Sequence, residues 1–195
     1  MTWLGGSSGS GPADWLAGHL LDRRVVMVSG ALDPAVSGNA IAQLMTLDAE
    51  GDEAIELYLD AEGDDLGSGL ALMDVIDLLG VEVIATCIGR AGGTAIGVLA
   101  VCSVRRVSPN ARLRLSEPRF DLNGTASEAA AWRRHADGQM ASFVGRLAQA
   151  CGKDPGEVAA DLSGGRFLSA AQAVAYGLAD SVAGQLSVVA GNSDS

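Results

Sequence analysis

Three apolar runs constrain the fold more than any other feature of the chain. RVVMVSG (24–30), AIELYLD (54–60) and VEVIATCIG (81–89) are short, rich in Val, Ile and Leu, and each precedes a segment with apolar residues at helical spacing. Those segments are DPAVSGNAIAQLMTLDAE (33–50), LGSGLALMDVIDLLG (66–80) and GTAIGVLAVCS (93–103). A strand that reads as a continuous apolar run is buried on both faces. Strand, helix and strand in succession form right-handed crossovers, so the pattern predicts an α/β domain around a mainly parallel sheet. Asp33 with Pro34 starts the first helix, and Gly80 is expected to close the second.

The rest of the chain fits around that core. DWLAGHLLDRR (14–24) reads as a short helix, and RRVSPNARLRLSEP (105–118) as a turn between two short strands. ASEAAAWRRHADGQMASFVGRLAQACG (126–152) is a long amphipathic helix ending at Gly152; DPGEVAADLSGG and SAAQAVAYGLADSV are two shorter ones. GGSSGSG (5–11) cannot pack, so residues 1–19 are expected to form a flexible segment, with one domain over 20–184 and a fraying tail over 185–195.

Composition narrows the function. With 195 residues, 48% hydrophobic and 19% charged, the chain can build one sizeable core. A formal net charge of −11 disfavours nucleic acid and anionic membranes, both of which need clustered Lys and Arg. The three cysteines, Cys87, Cys102 and Cys151, show no metal-binding spacing. No metal and no cofactor are expected. Without a secretory signal or a long apolar span, a reduced cytoplasm is the expected compartment.

GRAGGTAIGV (89–98) turns a strand into a helix through glycines, as a nucleophile elbow does, yet holds no serine and no cysteine. It lacks the Lys–Ser/Thr of a phosphate loop and does not read GxGxxG. Two readings stay open: an oxyanion site of backbone N–H groups, and a tight packing turn, which the pattern alone favours. DAEGDD (60–65) alternates acids but fails the calcium-loop template, with Asp65 at the sixth position and Ala71 at the twelfth. The two histidines, His19 and His135, lie on helical segments, and neither follows a strand that would present it as a base.

In order along the chain, the segments resemble the Clp protease proteolytic subunit family, ClpP. LLDRRVVMVSG is similar to the family's LLxxRxIFLxG, and IELYLDAEGDDLGSGLALMDVI to IxLYINSPGGxVxAGxAIYDTM. VEVIATCIGRAGGTAIGVL is similar to VxTxCxGQAASMGAxLL, SPNARLRLSEP to LPNSRxMIHQP, and DLSGGRFLSAAQAVAYGLADSV to DxxRDxFMSAxEAxxYGLIDxV. The resemblance runs from about Leu20 to Val182. It implies the ClpP/crotonase-type fold of stacked βαβ units, with a protruding handle helix over about 127–150, and assembly into rings.

The resemblance also locates what the chain lacks. The family's nucleophilic serine falls on Gly93, its general-base histidine on Ser116 and its orienting aspartate on Gly165. At the oxyanion loop the first family glycine is kept as Gly63, the second falls on Asp64, and the other donor position is Thr94. The resemblance therefore implies a catalytically dead member, similar to the non-catalytic ClpR subunits that share rings with active ClpP. Its expected partner is itself, an active ClpP paralogue, or both. The positions that line the family's ATPase-docking pockets are Leu44, Glu56, Tyr58, Leu78 and Arg106 here, and the charges of Glu56 and Arg106 put that docking in doubt. Gly164, where the family has an arginine at the ring–ring contact, puts locked ring stacking in doubt too. Two alternatives are a residual hydrolase acting through Thr94 or Ser116, and a crotonase-like module that holds an acyl thioester on the N–H groups of Gly63 and Thr94.

Overall fold

A computed structural model describes residues 18–118 and 125–184. The segment expected to be flexible over 1–19, except for its last two residues, and the tail over 185–195 lie outside the described residues.

The predicted mixed α/β architecture is present. β1 (Val25–Ala31), β2 (Ile55–Gly63) and β3 (Val83–Gly93) pair in parallel, joined by α1 (Pro34–Glu50) and α2 (Leu66–Leu78). α1 begins where Asp33 and Pro34 place it: the Asp33 carboxylate accepts the N–H groups of Ala35 and Val36, each at 2.9 Å. At its other end, Arg24 donates to the carbonyls of Leu47, Gly51 and Glu53, which closes α1 from the start of β1. α2 ends differently from expectation. Leu79 is its C-cap in extended conformation, and the Gly80 N–H donates to Asp48 Oδ1 at 2.8 Å. The second helix is thus held to the first by a side chain, and no left-handed glycine is needed.

β3 is longer than its apolar run. After an irregularity in the β2 pairing between Leu59 and Ala61, the register resumes and places Gly63 opposite Gly93. The first half of β3 pairs with β4 (Val104–Val107), its second half with β5 (Arg112–Arg114), both in parallel. The turn between β4 and β5 therefore steps along β3 and makes no hairpin. α3 (Ala95–Val101) leaves the elbow and packs against α4 (Ala126–Cys151), whose Phe143, Leu147 and Ala148 are buried. A Cβ on Gly97 would stand 2.5 Å from the Phe143 ring and 2.6 Å from Met73 Sδ, so glycine lets α3 lie this close.

α4 ends on left-handed Gly152, and α5 (Pro155–Gly164) on left-handed Gly165. Two strands that the sequence did not announce follow: β6 (Phe167–Ser169), antiparallel to β5, and β7 (Ser181–Val182), on the edge beside β4. α6 (Ala170–Tyr176) lies between them. Arg105 ties this end together, reaching the Asp180 carboxylate with Nε and Nη2 and the carbonyls of Ala150 and Gly177 with Nη1. The cysteines are unbridged; burial pushes the thiols of Cys87 and Cys102 up to about 12 and that of Cys151 up to about 11, leaving little thiolate at neutral pH. Among the described residues no helix is long and apolar enough to cross a membrane, and no group of three His, Cys, Asp or Glu could hold a metal ion.

Candidate functional site

The carboxyl ends of β1, β2, β3 and β5 converge on a cleft of about 420 Å³. Open parallel sheets present their ligand sites at such strand ends. Ala31 to Asp33 line one wall, Glu62 to Asp65 the next, Gly92 and Gly93 the floor, and Arg114, Ser116 and Glu117 the far side.

Gly93, the last residue of β3, has φ +56, which favours glycine. A Cβ built there would lie 2.0 Å from the Gly63 carbonyl oxygen. That carbonyl is held in place: it accepts the Thr94 N–H at 2.8 Å and the Thr94 hydroxyl at 3.2 Å. Thr94 is wholly buried. Its N–H, which by resemblance falls on the second oxyanion-donor position, is already donated inside the protein. The same contact removes the Thr94 hydroxyl from the cleft.

The acidic loop divides by role. Asp65 caps α2, accepting the Ser68 N–H at 2.9 Å and the Ser68 hydroxyl. Asp60 accepts the Arg90 N–H at 2.9 Å and so braces the strand before the elbow. Asp64 lines the cleft as an exposed carboxylate.

Ser116 lies two residues beyond β5, partly buried, and shares the cleft with Gly93. Gly165 caps α5 with φ +66 and is not part of the lining; a Cβ on it would meet Arg114 Nη2 at 3.8 Å. Among the described residues, none that lines the cleft is His, Cys or Lys. His19 lies 3.9 Å from Asp22 just before β1, and His135 meets the Trp132 ring edge-on along α4. Arg114 escaped the sequence reading. Its signal was the alternation Arg112, Leu113, Arg114, Leu115, Ser116, which puts Arg114 and Ser116 on one face of the strand.

The proposed docking positions scatter. Leu44 is wholly buried in the core beneath α1, so it cannot touch a partner; helical spacing alone did not say which face of α1 it occupies. Glu56 and Arg106 lie on neighbouring rows of the sheet and pair at 3.8 Å. Tyr58 follows Glu56 by two residues on β2, in the same row as Arg106 across β3, its hydroxyl pKa raised by burial and then by the Glu56 charge. Leu78 is 82% exposed at the end of α2, and Met27, in register with Tyr58, is 48% exposed.

The family model described as Clp protease matches residues 10–185. The ATP-dependent Clp protease proteolytic subunit 1 of Nocardia farcinica is 30% identical over 169 residues, which cover 84% of this chain and 85% of that relative.

Proposed function

The chain belongs to the Clp protease family, and we propose that it is a non-catalytic member, a subunit that forms or joins Clp rings in a structural or regulatory role. The observation that carries this reading is the elbow. Gly93 offers no side chain, and the Gly63 carbonyl stands where the first atom of one would go. A peptidase needs a nucleophile, a base and donors for the oxyanion. By resemblance those places fall on Gly93, Ser116, Gly165, Gly63, Asp64 and Thr94, and the Thr94 N–H is taken. The Asp64 carboxylate would repel a developing oxyanion. The same two features weigh against hydrolysis through Thr94 and against an acyl thioester held on the Gly63 and Thr94 amides. A reducing cytoplasm suits a chain with three unbridged thiols.

Assembly is the positive side of the proposal. Met27, Met45, Leu78 and Trp132 are large apolar side chains left at least 48% exposed on a single chain whose mean hydropathy is +0.25. Such surface is covered by a second copy or a paralogue. Sedimentation velocity at micromolar concentration, alone and mixed with an active ClpP, is expected to show a ring-sized species in at least one case. A persistent monomer in both would overturn the subunit role.

A further inference from the structure

Among the described residues Arg114 is the one cation lining the cleft, and no hydrogen bond or ion pair engages its guanidinium. It faces Gly92 across the β3–β5 pairing and Phe167 across the β5–β6 pairing, so two strands fix its position. Its guanidinium lies 5.3 Å from the centre of the Phe167 ring, a cation–π contact that holds its plane. Its Nε is shut off from water and has no hydrogen-bond partner. The guanidinium also pairs with no described carboxylate, although five acidic residues line the same cleft. An unpaired buried donor is costly and rare in folded proteins. The side of the guanidinium near Gly165 meets no side chain from that residue.

The acids of the cleft are not equivalent. Asp33 and Asp65 are engaged as helix caps, whereas Glu62, Asp64 and Glu117 have no side-chain partner among the described residues. A simple anion would meet Arg114 but be repelled by those three. A simple cation would meet them but be repelled by Arg114. A zwitterion satisfies both.

We propose that this cleft is a binding site for the free C-terminal carboxylate of a peptide whose last residues carry positive charge, with Arg114 as the carboxylate anchor. The planar fork of arginine takes a carboxylate through two parallel N–H bonds, here from its two Nη groups, because Nε is closed to solvent and so to a ligand in the cleft. Glu62, Asp64 and Glu117 select the basic side chain. The site goes beyond the non-catalytic reading and does not depend on it, because binding is read at equilibrium without turnover.

The test uses the full chain and N-acetyl-Ala-Ala-Lys as the free acid, followed by amide NMR and calorimetry at low salt. The free acid is expected to shift the amides of Gly92, Gly93 and Ser116 and to saturate. The C-terminal amide of the same peptide, and the acid ending in Glu, are each expected to bind at least about tenfold more weakly. Arg114→Met is expected to lose the free acid by a similar factor while keeping its near-ultraviolet dichroism. Should that variant fail to fold, the acid–amide comparison on the unaltered protein decides alone. Equal affinity for acid and amide, full affinity in a folded Arg114→Met, or no saturation at millimolar peptide overturns the proposal.

Discussion

Gly93→Ser yields a less stable protein that still cleaves nothing. The expected loss is about 2–4 kcal/mol, read as a lower urea midpoint with an unchanged slope. Two costs combine. Any L-residue at φ +56 carries a steric penalty, and the new Cβ meets the Gly63 carbonyl oxygen at 2.0 Å. The carbonyl cannot move aside cheaply, because it is held by both the amide and the hydroxyl of Thr94. Were the peptide to rotate, both of those bonds would be lost. The serine that results would have Ser116 where a base is needed. Adding Ser116→His and Gly165→Asp does not complete the site. The aspartate would sit at φ +66 beside Arg114, and the two charges would pair with each other, leaving the histidine without its orienter. Turnover of a fluorogenic peptide by the triple variant is expected to stay at least roughly 10³-fold below an active family member, since an oxyanion donor is also missing. Cleavage by the single variant, or unaltered stability, would contradict the argument.

Arg105→Ala is the second large effect, an expected loss of about 2–3 kcal/mol with the cleft untouched. The side chain is 16% exposed and joins β4 to the end of α4, the α6 cap and the turn before β7. Truncation leaves the Asp180 carboxylate only the backbone N–H of residue 105 and strands two carbonyls at once. The Asp180 end is 41% exposed, so solvent takes up part of that loss. Arg105→Lys recovers only part of it, because an ammonium cannot reach Asp180 and both carbonyls together. The pair also gives a pH signature. Burial would raise the Asp180 pKa, but the hydrogen bonds and charge of Arg105 outweigh it and hold the carboxyl below its usual range. Stability from this pair is present above the ordinary carboxylate pKa of about 3.9 and falls away as pH drops through the lower folded value. Arg105→Ala therefore flattens the acid limb of the stability curve, as chemical denaturation at stepped pH would record.

Much of the fold was legible because local and long-range signals agree. The three apolar runs became β1, β2 and β3, and Asp33–Pro34 and Gly152 marked helix ends where they lie. The rest depends on pairing that no local pattern carries. β3 continues through the three glycines Gly89, Gly92 and Gly93 because Glu62, Gly63 and Arg112 to Arg114 hydrogen-bond beside it, not because Gly favours a strand. β6 and β7 are too short to show a period. The site divides in the same way. Resemblance could say which residues fall on the chemical positions, but a peptide's orientation leaves no trace in the sequence, so the Gly63 carbonyl aimed at Gly93 was invisible. Leu44 shows the other limit: with a helix as apolar as NAIAQLM, spacing does not separate the buried face from the exposed one.

The central claim, that no residue of the elbow acts as a nucleophile, is tested most directly by intact-mass spectrometry after incubation with a fluorophosphonate and with a β-lactone. The assembled protein is used, alone and beside an active ClpP as the positive control. The expected result is an unmodified mass for this chain while the control is fully labelled. A covalent adduct on this chain, mapped by peptide sequencing to Thr94, Ser116 or Ser68, would contradict the account.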